Sequence, residues 1–173
     1  MKRVTVIGAP GTGKSTFSLR LGEVTGLPIV HLDQHFWNPG WVGTPRDECR
    51  CIHAGLLAPD QWIIDGGYSN TLDNRIAVTE TIIFLHLPRP VYLWQIVKRT
   101  LTTLGHVRPD LAPGCPERFD PDFVAYTWRF KHAQRPGILA ILDAAPPTCT
   151  VVMLRSARDC DAFMASCARG GTV

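Results

Sequence analysis

Arg3-Val4-Thr5-Val6-Ile7-Gly8-Ala9-Pro10-Gly11-Thr12-Gly13-Lys14-Ser15-Thr16 stands near the start of the chain and decides how the rest of it is read. Arg3 to Ile7 is a short β-branched run of the kind that forms a buried central strand, and it stops at Gly8. Lys14 to Val24 then places apolar side chains at Phe17, Leu19, Leu21 and Val24, the spacing of a helix laid against a sheet. Between the two, Gly8, Gly13, Lys14 and Ser15 match the pattern G-x-x-x-x-G-K-[ST]. The glycines let the backbone curl and turn several N–H groups inward, and the helix N-terminus adds partial positive charge at the same point. A loop of this build cradles the phosphates of a nucleoside triphosphate. Gly8, Pro10, Gly11, Thr12, Gly13, Lys14, Ser15 and Thr16 form the expected binding stretch for ATP, although no base-reading motif separates ATP from GTP. Lys14 would reach the β- and γ-phosphates, and the Ser15 hydroxyl would ligate Mg²⁺.

Downstream, strand and helix patterns alternate. Leu27 to Leu32 reads as a second strand, Trp62 to Asp65 as a third, Thr81 to Leu87 as a fourth and Cys149 to Leu154 as the last. Arg46 to Ala58, Val91 to Leu104, Asp122 to Gln134, Ile138 to Ala144 and Ala157 to Ala168 read as helices, with Pro136-Gly137 as a break. Gly105 to Pro121 holds four prolines and two glycines and is expected to be a mobile loop. The alternation predicts an α/β fold, a parallel sheet with helices on both faces. Ligands in such folds bind beyond the carboxyl ends of the strands, and Gly8, Asp33, Asp65 and Arg155 all fall there.

The chain has 173 residues, about one domain, with 45% hydrophobic and 19% charged residues, the composition of an ordinary globular protein. Its net charge of +3 points to no particular partner. The segment from Arg89 to Arg135 is more basic: Arg89, Lys98, Arg99, Arg108, Arg118, Arg129, Lys131 and Arg135 stand against Asp110, Glu117, Asp120 and Asp122. Such a segment would close over phosphates or touch nucleic acid. Six cysteines form no C-x-x-C pair and no zinc-finger spacing, and no apolar window reaches the length of a membrane span. The expectation is a cytoplasmic protein with reduced thiols.

Two carboxylates follow strands directly. Asp65 stands where a P-loop protein places the carboxylate that holds magnesium or its waters, and Asp33 stands where a carboxylate could take a proton from an attacking hydroxyl or organise magnesium waters. For each, capping of the following turn is the structural alternative. His31, His35 and His86 read by default as satisfied structural histidines.

Four stretches together go beyond a general P-loop. They are Gly8 to Ser15, His31-Leu32-Asp33 through Phe36-Trp37 to Pro39-Gly40-Trp41, Trp62 to Ser69, and Gly114-Cys115-Pro116-Glu117-Arg118-Phe119-Asp120. Over Lys2 to Ala168 the combination resembles the bacterial proteins labelled DNA topology modulation proteins, which look like small relatives of adenylate kinase. The resemblance implies a P-loop NTPase fold of the nucleotide-kinase type. Its features would be a three-layer sandwich around a five-stranded parallel sheet, an acceptor section after the second strand, and an arginine-bearing lid at about 100–135 within a single domain. It further implies that Asp65-Gly66-Gly67 is the Asp-Gly of adenylate kinases, that Lys98, Arg99 and Arg108 contact the transferred phosphate with Arg118 behind them, and that Arg155 lies near the base. The arginine expected soon after the Asp-Gly is replaced here by Tyr68-Ser69, with Arg75 coming later.

Asp33 to Thr44 contains no arginine or lysine, only Asp33, Gln34, His35 and the rings Phe36, Trp37 and Trp41. A carboxylate among aromatic walls suits a hydroxyl-bearing small molecule better than a phosphorylated one, although Arg46 and Arg75 would keep a nucleotide acceptor possible. The reading is an ATP-dependent phosphotransferase in which Lys14, Asp33, Arg99 and Arg108 carry the chemistry and Ser15 and Asp65 the metal. A nucleotide-binding regulator acting on DNA is the second reading, for which no nucleic-acid motif is readable, and an NTPase without an acceptor is the third.

Overall fold

The computed structural model describes residues 1–170. Strand β1 (Arg3–Gly8) lies at the centre of a five-stranded parallel sheet, flanked by β5 (Trp62–Asp65) and β6 (Thr81–Leu85), with β2 (Ile29–His31) and β7 (Thr150–Leu154) at the edges. The order is β2-β5-β1-β6-β7, so every connection is a crossover and the sheet is covered on both faces. Alternate residues of β1 feed the two faces. Val4 and Val6 meet Phe17 and Leu21 of helix α1 (Lys14–Thr25) and Phe163 and Met164 of helix α8 (Ala157–Ala168). Ile7 meets the other layer, built from Tyr92 of helix α5 (Arg89–Thr103) and Ile138 and Leu142 of helix α7 (Arg135–Asp143). Each such side chain contributes roughly 1.5–3 kcal/mol on burial, which is why a strand with apolar residues at successive positions sits in the middle of the stack.

Register sets where the strands stop. His31 pairs with Asp65 and Val6 with Asp65, and β5 ends there because Gly66 turns the chain away at φ 139°. With no partner beyond that point, β2 ends at His31, one residue earlier than its apolar pattern suggests. Leu32 begins helix α2 (Leu32–Phe36) instead, so Asp33 sits in the first turn of a helix rather than on a loop. In the same way Gly8, Leu85 and Leu154 share one end of the sheet, and β6 stops short of Leu87.

Three further features depart from the sequence expectation. The turn at Pro39-Gly40 closes a small antiparallel hairpin, β3 (Trp37–Asn38) and β4 (Val42–Gly43), with Trp41 held at φ 65°. A 3₁₀ turn (Ser69–Thr71) and helix α4 (Leu72–Ile76) fill a stretch with no readable period. Pro136-Gly137 does not break a helix; it lies in the first turn of α7, where proline's missing N–H has no intrahelical partner to lose. Helix α3 (Arg46–Leu57) follows Pro45, and helix α6 (Pro121–Ala133) is capped by Asp120, whose carboxylate accepts the Phe123 N–H at 3.0 Å.

The stretch 105–120 has no regular element beyond a bridge between Leu104 and Glu117, yet it does not stand free as a mobile loop would. Leu111, Ala112 and Cys115 are buried, the Trp41 indole donates to Pro116 O at 2.9 Å, and Gly40 N–H donates to Gly114 O at 2.8 Å. The β3–β4 hairpin and this stretch therefore roof the same edge of the sheet. No helix among the described residues is long and apolar enough to cross a membrane.

Candidate active site

At the carboxyl end of the sheet lies one cleft of about 860 Å³, within the range of ligand-binding clefts. Its floor is the loop between β1 and α1. Gly8, Pro10, Gly11, Gly13, Lys14, Ser15 and Thr16 line it, whereas Thr12 does not. Thr12 is buried behind the loop, its hydroxyl donating to Ala9 O at 2.8 Å and its N–H to the same oxygen at 3.3 Å. The structure thus makes Thr12 a brace of the loop, leaving the cleft wall to its neighbours. The Lys14 ammonium donates to Ala9 O as well, at 3.0 Å. Burial lowers the Lys14 pKa, while Asp33 and Asp65 pull it back upward.

Gly11 stands at φ 77°, and a Cβ there would lie 2.4 Å from Tyr92 O and 2.6 Å from Ile96 Cγ1. The loop is pressed against α5, which leaves no room for a side chain. Gly11→Ala should lower stability by about 3 kcal/mol from left-handed strain plus overlap, a drop in Tm of roughly 6–12 °C. Gly26 has a similar φ of 71° with nothing within 4 Å, so Gly26→Ala should show the strain alone, about 1 kcal/mol. Thermal melts of the two variants side by side separate crowding from backbone strain.

Opposite the loop stand the two carboxylates. Asp65 is 3% exposed, and its Oδ1 accepts from His31 Nδ1 at 2.9 Å, a contact that follows from their register on neighbouring strands. Burial alone would lower the His31 pKa, but the hydrogen bond and charge of Asp65 outweigh it, so the net shift is upward. Asp65 Oδ2 is buried with no hydrogen-bond partner among the described residues. Asp33 accepts from the Tyr68 hydroxyl rather than from a backbone N–H, so neither carboxylate caps a helix. Tyr68 is held edge-on to Phe36, ring centroids 4.6 Å apart, and burial together with the Asp33 charge keeps its phenol protonated and donating. Burial raises the Asp33 pKa; the Tyr68 hydrogen bond and Lys14 oppose the rise, while Asp65 and Asp110 add to it.

Beyond Asp33 the wall is aromatic. Trp37 and Trp41 meet edge to face at 5.5 Å, and the Arg118 guanidinium lies 5.7 Å over the Trp41 ring. Arg99 and Arg108 line the same cleft. Lys98 and Arg155 do not line it, and the Arg155 backbone N–H turns away to donate to Asp159. Arg46 is exposed on α3, and Arg75 is 0% exposed beneath the end of β5, where its Nη2 donates to Gly66 O at 2.9 Å. Neither reaches the cleft, so the phosphate contacts that sequence reasoning allowed them are not available. His31, Tyr68, Asp110 and Glu117 are cleft residues to which sequence reasoning gave no role. His31, Tyr68 and Glu117 lie within the distinctive stretches of the sequence, whereas nothing local marks Asp110.

The donor set fits Mg²⁺. The hydroxyl of Ser15 and the orphaned Asp65 Oδ2 are hard oxygens, and among the described residues no cluster of three or more acidic, histidine or cysteine side chains forms a metal cage. Magnesium characteristically takes one or two protein oxygens and completes its shell with phosphate and water.

No family model matches the chain, and no curated protein matches it significantly in sequence. Solved structures do match over nearly the whole length. Shikimate kinase from Bacteroides thetaiotaomicron aligns with a TM-score of 0.59 at 14% identity, covering 95% of this chain and 94% of that one. Shikimate kinase from Acinetobacter baumannii in complex with shikimate aligns with a TM-score of 0.61 at 12% identity, covering 96% and 90%. A gluconokinase from Sinorhizobium meliloti 1021 gives 0.53 at 17% identity, covering 98% and 94%. Sheet order, loop and neighbours agree: the chain has the P-loop NTPase fold of the nucleotide-kinase type.

Proposed function

We propose that the protein is an ATP-dependent kinase of a small, hydroxyl-bearing acceptor. The observation that carries this is the single cleft in which the P-loop with Lys14 faces Asp33, Trp37 and Trp41. One end is built for phosphates and the other presents a carboxylate among rings, with no cation between residues 33 and 44. The neighbours named shikimate kinase and gluconokinase support a small molecule in the acceptor's place.

In this reading ATP lies on Gly8 to Thr16. Asp33 takes the proton of the acceptor hydroxyl as its oxygen bonds to the γ-phosphorus and the bond to the ADP oxygen breaks. The hydrogen bond from Tyr68 engages Asp33 Oδ1, so Oδ2 is the oxygen that would take the proton. Lys14, Arg99 and Arg108 offset the charge on the transferred group, the larger part of what phosphoryl transfer needs. Ser15 and Asp65 would hold Mg²⁺, which would offset the negative charge of the phosphates. Residues at about 100–135 act as the lid and exclude water. No sequence match supports the resemblance to the DNA topology modulation proteins beyond the kinase-like P-loop fold, and in this fold Arg99, Arg108 and Arg118 are paired with Glu117, Asp110 and Asp120, which leaves less of the basic segment for nucleic acid.

The test is ATP turnover with magnesium against nucleosides, nucleotides and small hydroxylated metabolites. ADP release that rises with one compound, with phosphate recovered on it, is the expected result. Slow hydrolysis that no compound stimulates would overturn the kinase reading in favour of an NTPase.

A further inference from the structure

We infer that Glu117 is a positioning residue that aims two arginines at the γ-phosphate and so sets the preference for triphosphate over diphosphate. The inference rests on the kinase reading above. Glu117 comes from the lid stretch, is 5% exposed, and gathers four donors. Its Oε1 accepts from Arg99 Nε at 3.2 Å and the Thr100 hydroxyl at 3.3 Å and lies 3.0 Å from Arg99 Nη2 in an ion pair, and its Oε2 accepts from Arg108 Nε at 3.1 Å. Arg99 lies 18 residues before it on α5, and Arg108 nine residues before it on the loop. No local geometry brings two such residues together; one carboxylate does.

The backbone of Glu117 is held in the same place. Its N–H donates to His106 O at 2.9 Å and its carbonyl accepts from Gly105 N–H at 2.9 Å, which fastens the loop to the end of α5. Arg108 Nη1 is taken by Asp110 at 2.9 Å. Each guanidinium has five N–H donors, and these contacts occupy Nε and one terminal nitrogen of each. Arg99 Nη1 and Arg108 Nη2 make no hydrogen bond to the described residues, and both side chains line the cleft with Lys14. The charge of Arg99 is felt at Lys14 itself.

A buried Arg–Glu–Arg group is poor evidence for stability, since desolvation offsets much of its attraction. What it supplies is placement. Without the carboxylate, two adjacent guanidiniums repel and swing apart, and their free donors no longer converge where a third phosphate would lie. ADP has no group at that point, so its binding does not depend on where the two arginines point.

The experiment measures the affinity of full-length wild type, Glu117→Gln and Glu117→Asp for Mg–ADP and for the magnesium complex of a non-hydrolysable ATP analogue with a nitrogen in place of the β,γ-bridging oxygen. Wild type should prefer the triphosphate. Glu117→Gln should reduce that preference roughly tenfold, with ADP affinity unchanged within about twofold, an effect of the size seen when a supporting group is lost. Glu117→Asp keeps the charge but is one methylene too short to span both arginines, so it should lose preference as well. Should the glutamine variant fail to fold, the aspartate variant decides. An unchanged ratio, or a parallel loss for both nucleotides as a structural role would give, overturns the inference. Wild type that binds both nucleotides equally overturns it while leaving the P-loop reading intact; wild type that binds neither overturns both.

Discussion

Lys14→Ala should abolish triphosphate binding at ordinary concentrations, weakening affinity by roughly 100-fold and turnover by roughly 1,000-fold, while leaving the fold intact. The loss follows from removing the one flexible cation at the head of α1, where removal of a single electrostatic donor from a phosphoryl-transfer site has effects of this order. Stability should not fall, because burial lowers the Lys14 pKa in the folded chain and the charge is therefore carried at a penalty. The Lys14 amine donates to Ala9 O, but that oxygen keeps the Thr12 hydroxyl as a second donor, so nothing buried is left unpaired. Titration calorimetry with Mg–ATP, paired with a thermal melt, checks both parts. Binding that survives with an unchanged melt would remove the P-loop from the proposed site; a collapsed melt would mean that Lys14 is structural.

Asp33→Asn should lower kcat by roughly 100- to 10,000-fold with ATP affinity unchanged, the range for removal of a positioned base. The asparagine Oδ1 can still accept from Tyr68, so the contact to β5's end persists while the base is lost. Burial raises the Asp33 pKa, with Asp65 and Asp110 adding to it, so the carboxylate takes up its proton above the usual aspartate range. Activity needs the ionised form, and it should therefore fall as pH drops through that raised value. Tyr68→Phe removes a hydrogen bond that holds the pKa down, so the acid limb of kcat should move to higher pH. The raised native pKa also means that ionised Asp33 opposes folding at neutral pH, and the asparagine variant should be no less stable there. A pH profile of kcat for wild type and both variants, with the acceptor found by turnover, decides the matter. An acid limb that ignores Tyr68→Phe would separate Tyr68 from the base.

Much of the site was legible because its parts are local. Gly8 to Ser15 forms its loop from spacing alone, and Asp33 and Asp65 could be placed at strand ends because the strands announce themselves by β-branched runs. The position of Asp33 was less legible. Its strand loses its neighbour at Gly66, and that loss moves it into a helix. Thr12 belongs to the motif by spacing, yet its side chain turns behind the loop to satisfy Ala9 O.

The remaining differences lie in pairings between distant residues. Arg75 could be read as a phosphate contact because only its sequence distance from Asp65 was known; folding puts it under β5 as a buried prop for Gly66 O. The stretch 105–120 reads as mobile from its prolines and glycines, which fix local dihedrals and say nothing of the Trp41 and Glu117 contacts that anchor it. Local spacing was enough for the phosphate loop, the alternation of strands and helices and the parallel sheet, since each depends on neighbours a few residues apart. Which carboxylate holds which partner (His31 on Asp65, Tyr68 on Asp33, two arginines on Glu117) depends on strand register and on the packing of the 105–120 stretch across 9 to 35 residues, and those exist only once the chain has folded.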